Sequence, residues 1–325
     1  MPQTPADRPA GVGLSGRAGA HLTELAVLAV MVVWAGNFIV VKDVITVLPP
    51  VAFTFLRYAL ASLALLVLLR WSEGAIRLPR PETVRIMVLG GLGFGVYQIL
   101  WTVGLQTIPA GDSSLLIAAT PVFTAVVAVG IRADTLTPTK ALGVALSFVG
   151  VVLVIAAGVG IELGGSPVGH ALTLAAAACW ATYTAIAARV LRRHSPLVLT
   201  TWAAIGGTLA LAPIGIGQLL APGALGPEQA AALVPIALAV AYSGLLAAAF
   251  ANVIIFNGVR LLGPTRITAM QSLVPALAVV LAFLFLAEPI RAGQVAGGAI
   301  IVAGVALTRF GSRRPTFVLR AMLRR

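Results

Sequence analysis

Long apolar runs separated by short polar connections follow one another along the whole chain. A helix that crosses a bilayer needs about 20 predominantly apolar residues, and the runs approach that length repeatedly. Read in order, they predict ten membrane-crossing helices. In the first half these helices cover residues 25–41, 51–69, 86–105, 113–131 and 141–157, and in the second half 169–190, 197–219, 233–256, 268–286 and 292–307.

Composition supports a membrane protein rather than a soluble one. Of the 325 residues, 59% are hydrophobic and only 10% are charged, whereas soluble domains carry about 25% charged residues. This excludes a water-soluble fold and predicts an all-α integral membrane protein. The first 24 residues lack the apolar core of a signal peptide, so we expect a cytoplasmic amino-terminal tail without cleavage.

The positive charges predict the orientation of the chain. Cytoplasmic loops are enriched in Lys and Arg, and 19 of the 22 such residues fall in the two termini and the even-numbered connections. The opposite side has only Lys42 and Arg291, and Arg57 lies inside a helix. We therefore expect both termini in the cytoplasm and a multi-pass protein of the cell inner (plasma) membrane.

The net charge of +12 does not indicate a nucleic-acid partner, because the basic residues are dispersed between apolar runs. The stretch 309–325 is read as a basic cytoplasmic tail. It either fixes topology as a solvated segment or lies on an anionic membrane surface through its interleaved apolar residues.

Two halves of the chain resemble each other at constant offsets. An offset of 146 relates Trp34 to Trp180 and Pro50 to Pro196. An offset of 154 relates five later pairs: Gly104 and Gly258, Pro121 and Pro275, Asp134 and Glu288, Gly143 and Gly297, Gly150 and Gly304. We predict two five-helix repeats, 25–158 and 168–308. Because five is odd, the second repeat enters the membrane in the opposite sense, an arrangement typical of secondary transporters.

Several of these residues resemble one known family. They are Trp34-Ala35-Gly36-Asn37-Phe38, Arg57, Pro121, and Ala287-Glu288-Pro289 followed by Gln294, Gly297 and Gly304. Together they resemble the EamA-type transporters of the drug/metabolite transporter superfamily over residues 25–308. The resemblance implies ten helices in two inverted repeats around a central cavity, and export of amino acids or other metabolites. Asp134 stands where the family usually has glutamate.

Arg57 is the ionisable residue placed deepest in a predicted helix. It stands about eight residues, or roughly 12 Å, from Pro49, near mid-membrane, where an isolated charge is costly. Either it lines a cavity and binds a substrate carboxylate, or it pairs with backbone carbonyls and locks helices together. No predicted helix places a carboxylate at its centre, which favours an anionic substrate in the first case.

The remaining candidate site residues are polar or aromatic residues within predicted helices. Most such residues make interhelical hydrogen bonds, but first-helix positions in each repeat face the pseudo-symmetry axis. The predicted substrate-binding set is Trp34, Asn37, Arg57, Gln98, Trp101, Trp180, Tyr183, Asn252 and Gln271. Pro121 and Pro275 are predicted bends with a gating role.

The scarcity of buried carboxylates also bears on whether transport is coupled to protons. Proton-driven carriers often use a buried Asp or Glu. Asp112 and His170, near helix ends, are candidates for that role or are ordinary interfacial residues. A facilitator running down the substrate gradient is the simpler hypothesis.

The sequence lacks the motifs that an enzyme or a channel would show. Three scattered histidines, one cysteine and no phosphate-binding loop predict no metal, no cofactor and no enzyme active site. A channel would show a filter or a voltage sensor. Among transporters, a sugar-nucleotide or drug-like substrate is the alternative to a small metabolite. Substrate identity, direction of transport and oligomeric state stay open.

Overall fold

The computed structural model describes residues 14–74, 78–130, 137–158, 166–224, 226–262, 267 and 270–310, and these residues form helices and no strand. Eight helices are long and apolar enough to cross a membrane, and two shorter apolar helices follow. We label them α1 (Leu14–Val44), α2 (Pro50–Ser72), α3 (Arg80–Thr107), α4 (Ala110–Ile117 and Thr120–Gly130), α5 (Pro138–Gly158), α6 (Pro167–Val190), α7 (Pro196–Leu220), α8 (Leu233–Leu262), α9 (Leu273–Leu286) and α10 (Ala292–Phe310). A short helix, Pro227–Ala231, precedes α8.

Helix starts are set by proline and serine. Pro167 and Pro196 occupy the first helical position, where a missing N–H costs nothing. The hydroxyls of Ser166 and Ser195 accept hydrogen bonds from the backbone two and three residues on, as N-cap residues do. These polar starts explain why apolar runs alone place several helix beginnings a few residues late.

The first helix begins earlier than its apolar run. It starts at Leu14, so part of the predicted tail 1–24 is helical, because helix formation needs no apolar side chains. Residues 1–13 lie outside the described part of the chain, as do Asp134 and most of the predicted tail 309–325.

Four interruptions divide helices that the sequence predicts as continuous. Helix α3 contains a π-helical segment at Gly91–Val96 and α8 another at Tyr242–Phe250. Helix α4 breaks at residues 118–119, and a turn at Ser272 precedes α9. The last two breaks lie just before Pro121 and Pro275, because proline cannot donate to the carbonyl four residues earlier. The carbonyl of Ile117 accepts instead from the Thr120 hydroxyl at 2.6 Å.

Two antiparallel helix pairs pack closely, because small residues lie at their contacts. In the α5–α10 pair, a Cβ at Gly143 would lie 2.7 Å from the Gly304 oxygen, and one at Gly150 would lie 2.6 Å from the Gly297 oxygen. In the α2–α7 pair, the hydroxyls of Ser62 and Thr208 share a hydrogen bond of 2.9 Å. Small residues let these backbones approach closely.

The other main contacts surround these two pairs. Helix α3 packs on α6 and α7, while α8 packs on α1 and α2. Likewise α4 packs on α6, and α9 packs on α1. This arrangement brings α1, α2, α3, α4, α6, α8, α9 and α10 around one central space.

Candidate functional site

A cavity of about 190 Å³ lies at the centre of the bundle. This is below the roughly 300–1,000 Å³ of sites for drug-sized ligands. Eight of the nine residues of the predicted binding set line it: Trp34, Asn37, Arg57, Gln98, Trp101, Trp180, Asn252 and Gln271. Pro121 and Pro275 line it as well.

Tyr183 is the member of the set that does not reach the cavity wall. Its side chain is fully buried behind Phe94 and Trp180, with ring centroids 5.0 Å and 5.1 Å away. A Cβ at Gly93 would overlap the Tyr183 ring, so glycine makes the room for it. The Tyr183 hydroxyl has no hydrogen-bond partner among the described residues.

Arg57 is the cation at the centre of the cavity wall, and only 1% of it is exposed. Its Nη1 donates to the Ser243 hydroxyl at 2.6 Å, and its Nη2 donates to Oε1 of Gln98. Ser243 in turn donates to Oδ1 of Asn37 at 2.5 Å. One chain of hydrogen bonds thus joins α1, α2, α3 and α8 through the guanidinium.

No carboxylate balances this charge in the part of the chain that the structure describes. Three rings take its place, with centroids 5.6 Å, 5.2 Å and 5.5 Å from the guanidinium carbon for Phe53, Tyr58 and Trp101. These are cation–π distances. Arg57 Nε has no acceptor among the described residues. Arg57 is therefore a buried cation beside the cavity, with one donor unused among the described residues.

Aromatic rings form a further part of the wall. Tyr97 and Trp101 stack at 6.4 Å between centroids with an interplanar angle of 6°, and Trp180 lies 5.3 Å from Tyr97. The indole nitrogens are satisfied elsewhere, since Trp101 donates to the Ser113 hydroxyl at 3.1 Å and Trp34 to the Ala247 carbonyl at 3.0 Å. With these donors already used, the indole rings supply mainly apolar surface.

Sequence reasoning missed four residues at this site. Tyr58, Phe94 and Tyr97 line the cavity, and Ser243 bridges Arg57 to Asn37. Tyr97 had a usable signal, because it stands four residues before Trp101 and therefore on the same face of the helix. Ser243 had none, since a single serine in an apolar run most often bonds its own helix.

Two charged side chains bond helix ends at the end of the bundle that holds the connections 45–49, 108–109 and 287–291. Lys42 Nζ donates to the carbonyls of Leu105 and Ile108 at 2.7 Å and 2.9 Å, ending α3. Glu288 accepts from the backbone N–H groups of Ala110 and Gly111 at 2.8 Å and 3.1 Å, starting α4. Both are favourable charge–dipole contacts at helix termini.

Comparison with known proteins finds one family. The model of the EamA-like transporter family matches the chain twice, at residues 21–156 and 167–310. An uncharacterized transporter of Archaeoglobus fulgidus is 30% identical over 289 residues, which are 88% of this chain and 96% of that protein.

Several relatives carry substrate names. A probable amino-acid metabolite efflux pump of Salmonella typhimurium is 29% identical, covering 88% of this chain and 94% of its own length. A probable terminal-alkyne amino-acid exporter of Streptantibioticus cattleyicolor is 29% identical, covering 87% and 91%.

Proposed function

The chain belongs to the EamA-like transporter family, and from this premise we propose that it is a secondary transporter exporting small carboxylate-bearing metabolites, amino acids foremost. Membership makes it a multi-pass membrane transporter, and the family and relatives are named as transporters, not enzymes. The central cavity is the proposed substrate site, with access alternating between its two ends.

The observation that carries the substrate class is Arg57. Its charge is buried without a carboxylate partner among the described residues, and its Nε is unused. A substrate carboxylate would supply the missing charge. A small turn of the Arg57 side chain towards the cavity would bring its buried Nε to the same carboxylate, in the paired geometry that guanidinium groups favour. The names of the two amino-acid exporters support the same class. Direct substrate contacts are proposed for the eight predicted residues that line the cavity.

The architecture proposed is ten transmembrane helices in two inverted repeats, 25–158 and 168–308. Ser62 and Thr208 are 146 residues apart and bond to each other, as equivalent residues do when they lie on a two-fold axis. Gly143 meets Gly304 while Gly150 meets Gly297, which is the exchange such an axis requires. The two family matches, one per half, support the repeat.

Access to the cavity is proposed to alternate through matched helix breaks. Ala118 and Ser272 are turn residues 154 positions apart, each three residues before a cavity-lining proline. Pro121 and Pro275 would then act as paired gating bends.

The proposed orientation places both termini in the cytoplasm at the inner membrane. It rests on the 19 basic residues of the termini and even-numbered connections. A fluorescent reporter that matures only in the cytoplasm, fused after Arg325, is expected to fluoresce. The same reporter inserted after Gly223, in an odd-numbered connection, is expected to stay dark, and the reverse pattern would overturn the orientation.

Counterflow in proteoliposomes tests the function itself. Vesicles loaded with pooled amino acids and metabolites are expected to exchange a defined set of labelled carboxylates and to show saturation. Amidated analogues of the same compounds should exchange at least tenfold more slowly, since a charged hydrogen bond is worth about 1.5–3 kcal/mol. Equal exchange of both would refute the carboxylate proposal. Exchange of sugar nucleotides alone would replace the substrate class, and linear, unsaturable flux would indicate a pore.

A further inference from the structure

A second buried polar cluster lies outside the cavity, where α4 and α6 begin. Asp112 is the third residue of α4 and His170 the fourth of α6. Their side chains are 0% and 1% exposed, and Asp112 Oδ2 stands 3.6 Å from His170 Nε2. Both atoms are buried without a hydrogen-bond partner among the described residues.

The other polar atom of each side chain already has a hydrogen-bond partner. These partners determine whether the two facing atoms can donate or accept. His170 Nδ1 donates to the Ser166 carbonyl at 3.0 Å, so a neutral ring presents a lone pair at Nε2. Asp112 Oδ1 accepts from Gln294 Nε2 at 2.7 Å. An ionised Asp112 and a neutral His170 therefore point two acceptors at each other. One proton, on either group, converts that opposition into a hydrogen bond.

The charges around the pair come from helix α1 and the connection 287–291. Helix α1 contributes Lys42, which hydrogen-bonds the end of α3, and the connection 287–291 contributes Glu288, which holds the start of α4. Arg291 Nη1 forms a long ion pair with Asp112 Oδ2 at 3.9 Å, without a hydrogen bond between the two atoms. Helix α5 also packs on α4, but its sole titratable residue, Lys140, lies at its other end.

We propose that Asp112 and His170 form a one-proton site that locks this end of the transporter. With the proton bound, the pair draws α4 and α6 together and the cluster closes this end of the cavity. When the proton leaves for water, the two acceptors repel, Asp112 turns towards Arg291, and α4 separates from α6. In the proposed orientation this end faces away from the cytoplasm, so external acid holds it shut.

This inference rests on the proposed transport function. It differs from the simpler hypothesis drawn from the sequence, in which the transporter is a facilitator whose rate does not depend on protons. The sign follows from the geometry. The proton-bound form is the closed one, so exchange should rise with pH. The loss of one charge-assisted hydrogen bond, about 1.5–3 kcal/mol, corresponds to an increase of roughly tenfold or more.

Asp112→Asn is the informative variant. Its amide oxygen can still accept from Gln294, while its N–H₂ donates permanently to His170 Nε2. Exchange in this variant is expected to remain at the low-pH rate of the wild type at every pH. The chain offers a matched control in the half-exposed pair at the opposite end, His194 Nε2 and Glu82 Oε1 at 2.7 Å. Glu82→Gln should keep the wild-type pH dependence.

A second readout needs no substrate. In protein labelled with ¹⁵N-histidine, the pH-dependent change of the His170 ring nitrogens should be displaced to lower pH by Asp112→Asn, and that of His194 should not. Unchanged His170 signals, or a wild-type pH profile of exchange in Asp112→Asn, would overturn the lock. If no substrate exchanges at all, the transport proposal fails while the His170 signals still decide the proton site.

Discussion

Replacing Arg57 by alanine is expected to lower counterflow of the carboxylated substrate by about thirtyfold or more. Truncating one partner of a buried, hydrogen-bonded charge pair costs about 2–5 kcal/mol, and each 1.4 kcal/mol is a factor of ten. The variant also leaves the Ser243 hydroxyl and the Gln98 amide without their shared donor. Initial rates over a range of substrate concentrations measure the effect.

Arg57→Lys separates charge from geometry. Lysine keeps the positive charge but presents a point charge instead of a planar fork, so it cannot reach Ser243, Gln98 and a carboxylate together. We expect an intermediate loss, with a raised KM and a weakened preference for carboxylates over amides. Arg70→Ala, in the exposed last turn of the same helix, is the control and should exchange like the wild type.

The alternative for Arg57 is a purely structural lock between helices. That reading predicts that Arg57→Lys, if monodisperse after purification, transports carboxylated and amidated compounds in the wild-type ratio. Such a result would remove Arg57 from the substrate pathway. Loss of the ratio in a protein that remains folded would place it there.

The hydrophobic pattern predicts the eight helices long enough to cross a membrane, because the bilayer imposes one length and one chemistry on such helices. It cannot predict the π-helical segments at Gly91–Val96 and Tyr242–Phe250. A π-helical turn has the same apolar composition as an α-helical turn, so it leaves no mark on the hydrophobic pattern. These segments matter to the site, since Phe94, Ala247 and Ala248 within them line the cavity.

The polar residues of the cavity could be predicted because a polar side chain inside the membrane costs free energy unless it has a partner. Arg57, Asn37 and Gln98 stand out for that reason. Asp112 and His170 also stand out one by one, but they are 58 residues apart in the chain. Only the packing of α4 on α6 brings together Asp112 Oδ2 and His170 Nε2, the two atoms that lack a hydrogen-bond partner.

Tyr183, which the symmetry argument selected, packs against Phe94 and Trp180 and is absent from the cavity lining. At the offset of 146, Asn37 corresponds to Tyr183 and Arg57 to Ala203, and at 154 Ser243 corresponds to Leu89. The hydrogen-bonded trio Asn37, Arg57 and Ser243 therefore corresponds to three residues, Tyr183, Ala203 and Leu89, that all belong to one buried hydrophobic group. Equivalent backbone positions do not imply equivalent chemistry.

Gly90→Ala is expected to destabilise the protein severely, and Gly91→Ala is not. A Cβ at Gly90 would overlap the backbone carbonyl and Cα of Ala203 on α7, whereas one at Gly91 would meet its nearest atoms at 3.9 Å. Backbone atoms cannot rotate aside as a side chain does, so α3 and α7 must separate. The cost should exceed the roughly 1–3 kcal/mol of ordinary overpacking. The monodisperse fraction after heating in detergent measures it.

The same contact occurs a second time, at the helix that carries Arg57. Gly244 lies 154 residues after Gly90, and its Cβ would lie 2.6 Å from the backbone oxygen of Arg57. Arg57 itself lies 146 residues before Ala203. If the halves are inverted copies, Gly244→Ala must destabilise the protein as Gly90→Ala does. A Gly244→Ala variant as stable as Gly91→Ala would show that the two crossings are not equivalent and would remove a main support of the repeat.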